Sequence, residues 1–166
     1  MPTMTTALIA TTMLLAQGPG PVAVETLITG PAAVRKMAKV DLQVAEDGRE
    51  VTYTGVPLAA ILDRRANSAG GMAGLKALSD AVLLVRADDG YQVAFSAAEV
   101  AMDPKGERFL LATARDGKPL DDDRGPLRMI VPADPKHVRW IKNVASVRLV
   151  RLDKLAGPAD GARESR

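Results

Sequence analysis

Not one of the 166 residues is a cysteine. A disulfide, a thiolate nucleophile and a thiolate–metal bond are therefore excluded from whatever the chain does. Histidine occurs once, as His137, and no serine stands in a G-x-S-x-G elbow, so a Ser-His-Asp triad has no basis. A haem or zinc site is no better supplied, because no C-x-x-C-H, no second His and no H-E-x-x-H pattern completes a ligand set around His137. Aromatics are few: Trp140, two Tyr and two Phe leave little with which to stack nucleic-acid bases. Charge of one sign is also missing. The 22 Lys and Arg are interspersed with 20 Asp and Glu, a balance that argues against a nucleic-acid partner. Asp121, Asp122 and Asp123 are the densest acidic run, but the spacing and terminal Glu of a calcium loop are absent, and a solvated loop is the reading they support.

What is present is a chain 47% hydrophobic, enough for one sizeable core. The first twenty residues carry no charge, and the apolar stretch Ala7 to Ala16 precedes Gln17, Gly18, Pro19 and Gly20. It is shorter than the ~20 residues of a membrane span and reads as the apolar part of a signal peptide, although the basic residues that usually precede one are missing; an apolar tail or a misassigned start is the alternative. The expected organisation is a leader over residues 1–20, one domain over 21–154 and a disordered polar tail over 155–166, in a protein exported to the periplasm or secreted, with no stable membrane span once the leader is cleaved.

Period-two patterns predict strands over Val22 to Thr29, Val40 to Val44, Glu50 to Thr54, Ala81 to Arg86, Tyr91 to Phe95, Arg108 to Ala114, Leu127 to Val131 and Val144 to Leu152. Asp47 and Gly48 suit a hairpin turn. Leu58, Ile61 and Leu62 share one helix face, with Pro57 at the first helical position and the helix running to about Arg65. Asn67 to Gly74 reads as a Gly-rich loop, and Leu75 to Leu78 as a helical turn. Ser96 with Glu99 forms a capping box for a helix over Ala97 to Met102, and Pro135 can open another through Trp140 and Lys142. Close hairpin turns and short helices predict an α+β fold with mixed or antiparallel sheets, because a doubly wound sheet would need longer helices between its strands.

The most suggestive chemical group is Lys136, His137, Arg139 and Lys142, because a helix start at Pro135 would set free backbone N–H groups beside cations and suit an anion. The alternative is that these cations form the solvated side of a turn whose Val138, Trp140 and Ile141 serve the core.

Tyr53-Thr-Gly-Val-Pro-Leu58, Asp89-Gly-Tyr91, Asp116-Gly-Lys-Pro-Leu120, Gly125-Pro-Leu-Arg-Met-Ile-Val-Pro132 and Lys136-His-Val-Arg-Trp140 occur in this order. Together they resemble the sulfite-oxidase-type oxidoreductase molybdopterin-binding domain. The resemblance implies that fold, a molybdopterin cofactor, and cations at Lys136 and Arg139 near the cofactor's phosphate or an oxyanion substrate. Catalytic relatives bind molybdenum through a cysteine that precedes the G-V-P-L motif, and here only the short stretch Ala45 to Val51 stands in that place. The chain thus looks like a reduced version of the domain. The leading expectation is a module in which Lys136, Arg139, Arg128 and His137 hold an anionic ligand or a pterin without a cysteine–metal bond. A molybdopterin-dependent oxidoreductase and a non-catalytic accessory protein with a protein partner are the alternatives.

Overall fold

The computed structural model describes residues 23–66 and 71–152. The expected leader and tail lie outside the described residues, as do four residues of the expected Gly-rich loop.

The chain begins with strand β1 (Val24–Thr29), which Gly30 ends in a left-handed conformation before a single 3-10 turn, Pro31–Val34. β2 (Val40–Glu46) and β3 (Arg49–Pro57) then form the expected hairpin. Asp47 and Gly48 are its two turn residues, with φ of 52° and 74°, the left-handed pair that matches the twist of adjacent strands. Helix α1 (Leu58–Ala66) starts one residue after Pro57, which closes β3 rather than opening the helix, and buries Leu58, Ile61 and Leu62 as their spacing predicts. Helix α2 (Gly71–Ala77) occupies the second half of the segment expected as a loop. Its Leu78 end is fully buried, and that packing outweighs the low helix propensity of Gly71 and Gly74.

β4 (Ala81–Ala87) and β5 (Gln92–Ser96) follow, then the short helix α3 (Ala97–Ala101), where the Ser96 hydroxyl accepts from the Glu99 N–H at 3.4 Å. β6 (Leu110–Arg115), the two-residue strand β7 (Lys118–Pro119), β8 (Arg128–Ile130) and β9 (Val144–Arg151) complete the order. The described structure is mostly sheet, with few and short helices.

Two sheets form, with strand orders β1-β9-β4-β5 and β2-β3-β6-β7, β8 pairing β6 along the same edge as β7; every pairing is antiparallel. Between them lies one continuous core that includes Tyr53, Leu62, Leu83, Phe109, Leu111, Met129 and Val147. The sheets are tied across β8: Met129 N–H donates to Ile141 O at 2.8 Å and Val144 N–H to Leu127 O at 2.9 Å.

One irregularity decides which side chains meet. In the β3–β6 pair Tyr53 faces Arg115 and Thr54 faces Ala114, but Gly55 faces Ala112, so Thr113 is an extra residue on β6. A one-residue slip reverses which face every following side chain takes. Ala112, and Arg128 opposite it on β8, are thereby turned onto the face that carries Tyr53 and Arg115.

Candidate functional site

On that face lies a buried polar cluster in an otherwise apolar core. Glu46, at the end of β2, and Arg128 are each largely inaccessible, and Tyr53 is completely so. The Tyr53 hydroxyl donates to Glu46 Oε2 at 2.8 Å and accepts from Arg128 Nη1 at 2.5 Å. Arg128 Nη2 lies 3.0 Å from Glu46 Oε1, and Arg115 Nη2 approaches Glu46 Oε2 at 3.2 Å from the solvent side. One carboxylate thus serves two guanidinium groups and a phenol.

Aromatic rings frame the Arg128 guanidinium, whose carbon stands 5.5 Å from the Tyr53 ring centre and 5.4 Å from that of Trp140. Trp140 is fixed by its indole N–H, which donates to Val131 O at 2.6 Å, and it meets Tyr53 edge to face. His137 stacks on its other side at 3.9 Å between ring centres. A continuous stack therefore runs from partly exposed His137 through Trp140 and Arg128 to Tyr53 and Glu46.

Protonation follows from these contacts. Burial pushes the Glu46 carboxyl up, but the Tyr53 hydrogen bond and the charges of Arg128 and Arg115 outweigh it and hold the group below its ordinary value. Burial, with the bond donated to Glu46, pushes Tyr53 up to about 12. Tyr53 is therefore a neutral donor at any physiological pH.

The segment around Lys136 departs from expectation. Val131 to Asn143 forms successive turns and no helix: His137 N–H donates to Asp134 O and Trp140 N–H to His137 O, with His137 at a φ of 50°. Pro132 and Pro135 explain this, since each supplies no N–H and Pro135 disfavours the helical conformation for Asp134. The helix-start dipole invoked for an anion is consequently absent. Arg139 is held by Asp134, its Nε donating to Oδ2 at 2.7 Å and its Nη2 to Oδ1. The hydrogen bonds from Arg139 lead the causes that hold Asp134 below the ordinary carboxylate value. Lys136 is exposed and forms no hydrogen bond or ion pair with a described residue. Of the four residues nominated from sequence, His137 and Arg128 share contact with Trp140, Arg139 is neutralised, and Lys136 is exposed.

The acidic run is exposed, and two of its three carboxylates form ion pairs. Asp121 accepts from Arg124 Nη1 at 2.6 Å, and Asp123 lies 3.5 Å from Lys142 Nζ. Glu46, Arg115 and Arg124 were not singled out by sequence; pairing across strands brings Glu46 and Arg115 to one face, and the turn from Asp121 holds Arg124.

The molybdopterin-binding family model matches residues 32–155, three quarters of the chain. The chain belongs to the oxidoreductase molybdopterin-binding domain family. No curated protein matches it. The family implies a molybdopterin group, and its fit is tested by the donors present. The chain has no cysteine, and the described residues contain no group of three or more His, Asp or Glu side chains able to hold a metal. Where the resemblance places the thiolate-bearing segment, β2 turns into β3 through two residues, and the adjoining Glu46 is bonded to Tyr53 and Arg128. These residues do not fit a protein-bound molybdenum.

Proposed function

We propose that the protein is a binding member of the molybdopterin-binding family, exported and of sulfite-oxidase-like α+β architecture, which holds a pterin or other anionic ligand without a cysteine–metal bond. The observation that carries this reading is the Glu46–Tyr53–Arg128 cluster beneath a closed hairpin in place of a metal-ligating segment. A buried guanidinium already neutralised by a carboxylate is a rigid wall and not a redox centre. His137, stacked on Trp140 above Arg128, offers a flat aromatic edge, with Lys136 as the exposed cation of the same turn and Arg139 braced by Asp134 behind it. The uncharged apolar stretch Ala7 to Ala16 supports export.

The test is the composition of the protein purified from a molybdate-fed host that makes the cofactor. Metal is measured by mass spectrometry and pterin by the fluorescence released on oxidation. Pterin without molybdenum is the expected result. Stoichiometric molybdenum would overturn the reading in favour of an enzyme, and the absence of both would overturn its pterin half. Replacing the exposed Lys136 by Ala should weaken the hold on the bound pterin while the thermal transition persists.

A further inference from the structure

A sheet edge exposes unpaired backbone groups, and natural folds shorten, bend, charge or cover such edges. Most outer strands here are treated in that way. β1 is broken by an extra residue, Leu27, between Thr26 and Ile28. β5 has five residues, and the turns of 131–143 lie against it: the Tyr91 hydroxyl donates to Val138 O at 3.0 Å, and the Arg139 guanidinium carbon stands 5.4 Å from the Phe95 ring centre. β7 is two residues long and ends in Pro119, and the outer side of β8 is bonded to Ile141.

β2 is the exception. It runs for seven residues in unbroken register with β3, contains no Pro, Lys or Arg, and carries one exposed charge, Asp41. The two-residue turn at Asp47 and Gly48 closes on Glu46 and Arg49, a pair that exchanges both backbone bonds. Glu46, Val44, Leu42 and Val40 therefore point their N–H and C=O groups at β3. Those of Asp41, Gln43 and Ala45 point away from it, and no described residue bonds to them. The side chains of these three residues are exposed as well.

We infer that the β2 edge is an interface between two copies of this chain, which pair antiparallel about a two-fold axis through Gln43. In that register Gln43 meets its own copy and Asp41 meets Ala45, so every outward N–H and C=O finds a partner, and half-buried Leu42 meets Val44 across the join. Charge selects this occupant and this register. Lys39 comes opposite Asp47 of the second copy at both ends of the pairing. Both residues are exposed; Asp47 has no ion-pair partner among the described residues, and Lys39 reaches only Arg35 O, at 3.4 Å. A shift that set Asp41 against its own copy, or against Asp47, would oppose like charges. The interface stands on strand geometry and is independent of the pterin reading.

The experiment is sedimentation equilibrium of the full chain over a concentration series, with amide hydrogen exchange read by NMR on the same samples. A mass that rises from monomer to dimer is expected. Protection of the Asp41, Gln43 and Ala45 amides should rise with it, while the Leu42 and Val44 amides are protected at every concentration. Lys39→Glu and Asp47→Lys should each weaken the dimer about tenfold, since each sets like charges together at both ends. Mixing the two variants should restore it, because each then meets opposite charges, a rescue that damage to the fold does not produce. Gln43→Pro, which removes an outward N–H and none of the β2–β3 bonds, should leave a folded monomer. A monomer at every concentration up to about 1 mM would overturn the interface and leave the edge to a strand of another protein. A dimer whose Asp41, Gln43 and Ala45 amides still exchange freely, or one that neither charge change weakens, would overturn it as well.

Discussion

The Tyr53 hydroxyl is the hinge of the buried cluster, since it donates a hydrogen bond to Glu46 and accepts one from Arg128. Its removal in Tyr53→Phe leaves a buried donor and a buried acceptor each short of a partner, and should cost about 1–3 kcal/mol in chemical denaturation. Removal of the charge in Glu46→Gln is expected to be worse, at about 3–5 kcal/mol, because Arg128 then stays buried without its carboxylate. Two Glu46 variants distinguish the causes: Glu46→Gln paired with Arg128→Met should recover much of the loss if unpaired charge is the source. Recovery would not occur if the damage came from the Glu46 change alone. At this scale the sequence was partly legible. Arg128 and His137 stand in motifs that the family resemblance picks out, and both do meet Trp140. Glu46 was invisible, because a glutamate beside Asp47-Gly48 looks like any hairpin-end residue until the opposite strand brings Tyr53 against it.

Single elements were read with uneven success, and the failures share a cause. The capped helix α3, the β2–β3 hairpin and the long strands carry their own local signals in capping residues, turn residues and alternation, so they form where expected. Helix α2 and the turns of 131–143 depend on what packs around them, and local propensity misreads both. The extra residue on β6 has no sequence signature at all. It is matched by Gly55 on β3, where an added Cβ would lie 2.6 Å from Ala112 Cα. Gly55→Ala therefore cannot be accommodated without moving the β6 backbone, which is what turns Arg128 toward Tyr53. We expect a loss of at least ~1–3 kcal/mol, together with a changed amide spectrum along β6 and β8. A fully native spectrum at undiminished stability would show that the close approach is not required.

Across the whole molecule, the paired carboxylates set how stability depends on pH. Glu46 and Asp134 are held below their ordinary values in the folded state, so the stability they confer is complete above the unfolded values near 4 and is lost as pH falls through the lower folded ones. Tyr53 works in the opposite direction: its folded value is raised, so its contribution is complete below the unfolded value of 10.0 and is lost as pH rises toward about 12. Thermal melts should therefore be flat between about pH 5 and 9 and fall on both sides, and Tyr53→Phe should flatten the alkaline limb. An unchanged alkaline limb in that variant would assign the fall to other groups. Composition and local pattern alone determined the lack of thiol chemistry, a strand-rich design with short helices and mixed or antiparallel sheets, and the family, because a missing residue type, a hairpin turn and an ordered set of short motifs are all properties of the chain as written. Only the tertiary structure decided that Arg139 is spent on Asp134 while Arg115, Lys118 and Arg124 line one cleft. Whether a cation is free depends on which carboxylate reaches it across strands and turns, and that follows from register, which a single shifted residue can reverse.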